Sequence, residues 1–462
     1  MYIEQLYTNC LAEAAYYIES EGEAVIIDPL RETEPYLALA EKRNSKIKYV
    51  LETHFHADFV SGHIDLAQKA NATIVYGSKA EPNYDVHLAN DGEILTIGKI
   101  KIKVLHTPGH TPESVCYLLI DENGNNHSIF TGDTLFVGDV GRPDLAVKSD
   151  LSQEDLAGLL YDSLQKNILP LADNVIVYPA HGPGSACGKN IGKETFSTIG
   201  EQKANNYALQ PQSKANFIEA VTSGLSPAPQ YFFHDAAINK AGYENIDEVI
   251  SKNLNLLSVD EFDALSKNPD TLILDTRTPD EFEVGFIPNS INIGLNGQFG
   301  PWVGALINPK AALILVCTEG KESESVLRLA RVGYENVKGI LKNGINAWKN
   351  AGKSLESVTS IEPNEFVKDI QNFSHVIDVR KPGEWNSGVL EAAQLITLDE
   401  IEKNASQLSP ENTYHVHCAG GYRSMIAASL LKKKGIKNVI NIKGGMAKIK
   451  EAGAKIVELQ TV

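Results

Sequence analysis

Two sets of residues in this chain could do chemistry. The first begins in THFHADFVSGH, which supplies His54, His56 and Asp58, and continues with His110 in TPGHT, Asp133 in TGDTLF and His181 in PAHGPG. Neutral imidazoles and carboxylates are ligands for borderline first-row metals. A lone histidine ordinarily caps a turn or satisfies a core hydrogen bond. Four His and two Asp, each following an apolar run, point instead to one shared metal site. The second set is Cys418-Ala-Gly-Gly-Tyr-Arg423-Ser424. Gly420 and Gly421 permit a tight curl that aims consecutive backbone N–H groups at the sulfur. Such a loop stabilises a thiolate or a persulfide anion, and Arg423 adds positive charge.

The elements that must carry these residues are short. AVIIDP, IKYVLETH, ATIVYG, KIKVLHTPGH, SIFTGDTLF and NVIVYPAHGPG have the length and β-branched content of strands. Four of them run straight into His54, His110, Asp133 or His181, which predicts one site at one edge of a sheet. Residues 191 to 255 read as helices and connections, with Pro227 and Pro229 interrupting any helix there. The rest contains an internal repeat. ILDTRTPDEFEVG, LILVCTEGKES and GYENVKGILKNGINAW are answered by VIDVRKPGEWNSG, YHVHCAGGYRS and GIKNVINIKGGMAKI. Each copy has an apolar strand delivering a cysteine into a short loop before a helix-like run, an α/β unit used twice.

The HxHxD run resembles the start of the HxHxDH signature of the metallo-β-lactamase superfamily, with Phe59 at the last position. An aromatic ring cannot coordinate, so a second metal loses an anchor. Within that superfamily the chain looks most like the persulfide dioxygenases, including forms fused to rhodanese domains. The resemblance implies one Fe(II) per chain held by His54, His110 and Asp133, with O₂ as co-substrate, and His56, Asp58 and His181 behind the ligands. The Cys418 loop resembles the rhodanese active-site loop, and Asp378, Arg380 and Glu384 resemble that family's structural DxRxxxE element. In the first copy, Cys317-Thr-Glu-Gly-Lys-Glu322-Ser323 puts Glu322 at the place of Arg423 and adds Glu319. Both oppose a thiolate and anionic substrates, so this copy is expected to be a degenerate, structural or docking domain.

The expected architecture is therefore α/β throughout. An N-terminal metallo-β-lactamase αββα sandwich over residues 1–245 is followed by rhodanese-like domains over 255–355 and 358–462. Arg142, Cys187 and Lys189 are weaker substrate-binding candidates: Arg142 could grip an anion or close its loop on Asp139 or Asp144, and Cys187 and Lys189 lie in a loop after His181. Cys10 and Cys116 sit in apolar runs and are expected in the core.

Composition bounds the rest. With 42 Lys+Arg against 59 Asp+Glu the formal net charge is −17, which argues against nucleic acid or anionic membrane as a partner. No apolar run approaches a membrane span. MYIEQLYTNC lacks the basic start and apolar core of a signal peptide. Five scattered cysteines without a CxxC suit a reducing cytoplasm. The implied reactants are a low-molecular-weight thiol persulfide, sulfite and thiosulfate, and a homo-oligomer is expected. Two rival readings stand beside this one: a zinc-dependent thioester hydrolase of glyoxalase II type fused to a sulfurtransferase, and a non-catalytic sulfur-binding sensor or scaffold.

Overall fold

The computed structural model describes residues 1–146, 151–391 and 393–459; the last three residues of the expected third domain lie outside them. The chain divides into two compact units, Met1–Val249 with Leu329–Tyr334, and Ile250–Arg328 with Glu335–Val462. No helix among the described residues is long and apolar enough to cross a membrane.

The first unit is built on two six-stranded sheets. One runs in chain order through β1 (Tyr2–Thr8), β2 (Glu13–Ser20), β3 (Glu23–Ile27), β4 (Lys46–Leu51), β5 (Thr73–Gly77) and β6 (His87–Ala89). Its first three strands are an antiparallel meander and the rest pair in parallel. The other comprises β7 (Ile94–Ile97), β8 (Ile100–His106), β9 (Val115–Ile120), β10 (Asn126–Gly132), β11 (Ile176–Pro179) and β12 (Ser197–Thr198). Alternate residues of both sheets, among them Tyr16, Ile18, Val25, Ile102, Val104 and Tyr117, bury one core between them. The opposite faces pack against helices: Glu34–Lys42 and His63–Ala70 on the first sheet, Gln153–Ser163 and Lys214–Thr222 on the second. Helix, sheet, sheet, helix is the αββα sandwich expected.

The second unit holds two parallel sheets of the same topology. Strands β13 (Leu256–Leu257), β14 (Thr271–Asp275), β15 (Ile291–Asn292), β16 (Ala312–Val316) and β17 (Val337–Leu341) lie in the order β13-β17-β16-β14-β15. In the second copy β18 (Thr359–Ile361), β19 (Val376–Asp378), β20 (Val389–Leu390), β21 (Ala393–Leu395), β22 (Thr413–His417) and β23 (Asn438–Ile442) follow. Five of them form a sheet in the order β18-β23-β22-β19-β21, position for position the same, while β20 pairs elsewhere. The match extends to side chains. Arg277 is clamped by the Asp275 carboxylate and the carbonyls of Glu281 and Gly285; Arg380 repeats this with Asp378, Glu384 and Gly388.

Candidate metal centre and sulfur-carrier loop

In the first unit five strands end at one edge, and each hands a polar residue to it: Asp28 after β3, His54 after β4, His110 beyond β8, Asp133 after β10 and His181 after β11. Gly132 lets β10 deliver Asp133. It holds φ +50°, and a Cβ there would sit 2.6 Å from Thr53 Oγ1, a conformation and a contact that only glycine tolerates.

Ligand atoms of His54, His110 and Asp133 lie within 4.8 Å of one another, all buried. Asp133 Oδ2 is 3.4 Å from His110 Nε2 and 3.9 Å from His54 Nε2. Both Asp133 oxygens are buried without a hydrogen bond among the described residues, which is costly for a carboxylate unless a cation meets it. The imidazoles are oriented for that. His110 Nδ1 donates to the Arg142 carbonyl at 2.9 Å, and His181 Nδ1 donates to the Ala12 carbonyl at 3.3 Å. Thr53 Oγ1 donates to Asp28 Oδ2 at 2.8 Å, so it can accept from His54 Nδ1 at 2.9 Å. In all three rings Nε2 keeps its lone pair for a metal. Burial, followed by the neighbouring imidazoles, pushes His54 well below the ordinary histidine range, so it stays a neutral donor. The residues fit a first-row metal ion.

His56 does not join that trio. Its Nε2 lies 3.0 Å from Asp28 Oδ1 and 3.7 Å from Glu52 Oε2, an ion pair more than a linear hydrogen bond. Burial alone would depress His56, but Asp28 and then Glu52 raise it to about 10, so it is an imidazolium. Further His, Asp and Cys side chains lie beside the first group. His56, Asp58 and His181 approach one another within 4.8 Å, and so do Asp133, His181 and Cys187. Cys187, a weaker candidate for substrate binding from its loop after His181, is 1% exposed. Burial, then Asp58 and Asp133, pushes its thiol well above the usual range.

Of the two readings of Arg142, closure of its loop on Asp144 is the one observed, and Lys189 is likewise engaged. Arg142 is not available to grip an anion: it makes a bidentate pair with Asp144 at 2.6 and 2.7 Å and donates to the Ala186 and Ser226 carbonyls. Lys189 Nζ donates to the Ala220 and Ser223 carbonyls at the end of the helix Lys214–Thr222. Cys116 is buried as expected, but Cys10, also expected in the core, is only partly buried. Sequence reasoning missed Asp28, which also accepts the Thr53 N–H at 2.8 Å; the Asp closing AVIIDP was the available signal. A cavity of about 860 Å³ opens beside His110, walled by Phe55, Pro108, Leu145 and Phe233, with Lys79 and Lys240 among its polar residues.

In the second unit the Gly421 N–H points at Cys418 Sγ, 3.1 Å away. Gly421 has φ +102° and begins the helix Tyr422–Lys433, whose N-terminal dipole favours sulfur anions. Ser424 Oγ lies 3.7 Å from the sulfur and bonds Asn441 at 2.7 Å. The charge expected from Arg423 is largely neutralised, because Glu384 takes it in a bidentate pair at 2.6 and 2.7 Å.

The first copy lacks this cradle. Among the described residues Cys317 Sγ is met by Ser325 Oγ at 3.4 Å and by no backbone N–H. The contacting serine is Ser325, not the Ser323 that sequence spacing matches to Ser424, so the two loops approach their cysteines differently. Burial comes first in pushing the Cys317 thiol up to about 11, with Asp275 and Glu322 adding to it. A cavity of about 490 Å³ lies over Cys418, and the first copy supplies part of its wall through Asp280, Asn296, Gln298 and Trp302. Tyr422 OH ties the two copies together there, donating to the Gly294 carbonyl at 2.6 Å.

Residues 8–181 match the family described as the Metallo-beta-lactamase superfamily, and residues 258–351 and 362–452 match the Rhodanese-like domain. The chain is 36% identical over 177 residues to the Hydroxyacylglutathione hydrolase cytoplasmic of Arabidopsis thaliana, covering 37% of this chain and 65% of that one. It is 32% identical over 213 residues to the human Persulfide dioxygenase ETHE1, mitochondrial, covering 45% of this chain and 74% of that one. The chain thus spans less than two thirds of the plant hydrolase. Among solved structures, the Metallo-beta-lactamase from Staphylococcus aureus subsp. aureus COL aligns with a TM-score of 0.65 at 31% identity, over 74% of this chain and 98% of that one.

Proposed function

Because the chain belongs to the metallo-β-lactamase superfamily and carries two rhodanese-like domains, we propose that it oxidises a low-molecular-weight thiol persulfide to sulfite and combines sulfite with sulfane sulfur to give thiosulfate. The observation that carries this reading is the position of His56. A dizinc hydrolase of this superfamily would use that imidazole as a ligand, but here its Nε2 is paired with the carboxylates of Asp28 and Glu52. Beside it, His54, His110 and Asp133 converge as two imidazoles and a carboxylate, the donor set of non-haem iron oxygenases. A single Fe(II) held there would supply redox chemistry with O₂ and open coordination positions for a substrate sulfur.

The chain's own residues do the rest. Thr53, Arg142 and Asp28 fix the ring orientations, and the cavity beside His110 gives the thiol carrier room to enter sulfur-first. In the net reaction persulfide, O₂ and water give thiol, sulfite and protons. At the other site the Cys418 thiolate attacks the terminal sulfur of a persulfide. The S–S bond breaks, the thiol leaves as its thiolate, and Cys418 becomes a persulfide, stabilised by the Gly421 N–H. Sulfite then attacks that outer sulfur, forming the S–S bond of thiosulfate and returning the Cys418 thiolate.

A second reading, a two-metal thioester hydrolase, draws on the donors Asp58, His181 and Cys187 and on the hydrolases among the relatives. Anaerobic purification with metal analysis, then O₂ uptake against glutathione, coenzyme A and bacillithiol persulfides, separates the two. About one iron per chain with O₂ uptake is expected; two tightly held zinc ions with thioesterase activity and no O₂ uptake would reverse the choice.

A further inference from the structure

Leu329–Tyr334 begins in the last turn of the helix Glu322–Ala330 that follows the Cys317 loop, yet it packs as part of the first unit. At its centre is Arg331. The guanidinium pairs with Glu32, with Nε 2.8 Å from Oε2. Its Nη1 also reaches Cys10 Sγ at 3.7 Å. The Arg331 carbonyl accepts the Val60 N–H at 2.7 Å, and the carbonyl before it accepts from Arg31 Nη1 at 3.3 Å. Both Val60 and Arg31 are fully buried.

These contacts meet the two loops that carry one side of the metal pocket. Val60 lies two residues after Asp58. Cys10 opens the turn whose Ala12 carbonyl orients His181, and whose Glu13 forms a β-bridge with His181. Asp58 Oδ2 and His181 Nε2 face each other at 3.5 Å across that gap. Glu13 is fully buried, and neither carboxylate oxygen is hydrogen-bonded among the described residues. Arg331 therefore touches both sides of that gap, the turn before His181's partner strand through its guanidinium and the Asp58 loop through its carbonyl.

We propose that Arg331 is a positioning residue of the metal pocket, holding the Asp58 loop against the His181 loop from a segment that belongs in sequence to the degenerate rhodanese-like copy. The inference rests on the metal-pocket reading above but not on the choice between dioxygenase and hydrolase.

The test uses the full-length chain with Arg331→Ala, Arg331→Lys and Glu32→Gln. Metal-free protein is titrated with Co(II) and followed by its absorption bands, while amide exchange is measured on peptides covering Val60. Sulfur transfer from thiosulfate to cyanide at Cys418 reports overall integrity. Arg331→Ala should weaken Co(II) binding about tenfold or more and speed exchange at Val60, with sulfur transfer unchanged. Lys should restore part of both, which loss of packing alone would not predict. Glu32→Gln keeps Arg331 and loosens one of its anchors, so a smaller loss of the same kind is expected even if Arg331→Ala folds poorly. Wild-type Co(II) affinity and wild-type Val60 exchange in Arg331→Ala or Glu32→Gln would overturn the proposal. If the parent chain binds no Co(II), the metal-pocket reading fails, and Val60 exchange alone still decides whether Arg331 braces the loop.

Discussion

Asp28→Asn is the most informative single change in the first unit. The Asp28 carboxylate accepts from Thr53 N and Thr53 Oγ1 and faces the His56 imidazolium at 3.0 Å. His56 is raised to about 10 against about 6.5 for a free imidazole, worth at most about 5 kcal/mol. Glu52 and Asp58 remain near His56 in the variant, so a loss of about 3 kcal/mol near pH 6.5 is the better expectation. The sign with pH follows from the raised value. The contribution is fully present below about pH 6.5 and is lost as pH rises through about 10, with a slope of at most about 1.4 kcal/mol per pH unit. Asparagine should flatten that slope, so the two proteins converge toward pH 10. A residual gap of about 1 kcal/mol should remain from the weakened Thr53 hydrogen bonds. Urea unfolding of metal-free protein at pH 6.5, 8 and 9.5, read by hydrogen exchange on peptides from β3 and β4, follows this unit by itself. An Asp28→Asn chain with wild-type stability and an unchanged pH slope would refute the charge assignment of His56.

Three further outcomes are expected. His110→Ala should lose both metal and O₂ consumption while thiosulfate–cyanide sulfur transfer persists; transfer lost in parallel would mean the two chemistries are not separable. Cys418→Ser should abolish sulfur transfer and shift the oxidation product from thiosulfate to sulfite, after subtracting the slow solution reaction of sulfite with persulfide. Cys317→Ser should change neither, since a thiol at about 11 is only about a thousandth ionised at pH 8; a mass-spectrometric persulfide adduct at Cys317 matching that at Cys418 would contradict this.

Much of this was legible in the sequence because it is local. Apolar runs ending in His or Asp mark strand ends, and a duplicated DxR with a duplicated strand-end cysteine marks two copies of one unit. What was not legible depends on which distant group satisfies a charge. For Arg142 the sequence offered both an anion grip and closure on Asp139 or Asp144, and only the fold, with the Ala186 and Ser226 carbonyls beside Asp144, chooses between them. Arg423 looked like a free cation until Glu384 met it. Cys187 was placed only in a loop after His181, and nothing local told that it is buried beside Asp133 and His181. His56 is the sharpest case. Two residues from His54, it is turned into a cation by Asp28, a residue that follows another strand.

The wall that the first copy gives to the cavity over Cys418 bears on how such a duplicate can change with time. Its own cysteine is dispensable to the chemistry proposed here, so the stretch around Glu319 and Glu322 is open to drift. Gly294, Asn296, Gln298 and Trp302 are not, because they shape the room in which the other copy works. A repeat whose own cysteine lacks the backbone cradle still walls the cavity of its twin, on one face and not the other. Trimming the protein to its second rhodanese-like domain would leave Cys418 in place but strip away one side of the chamber around it.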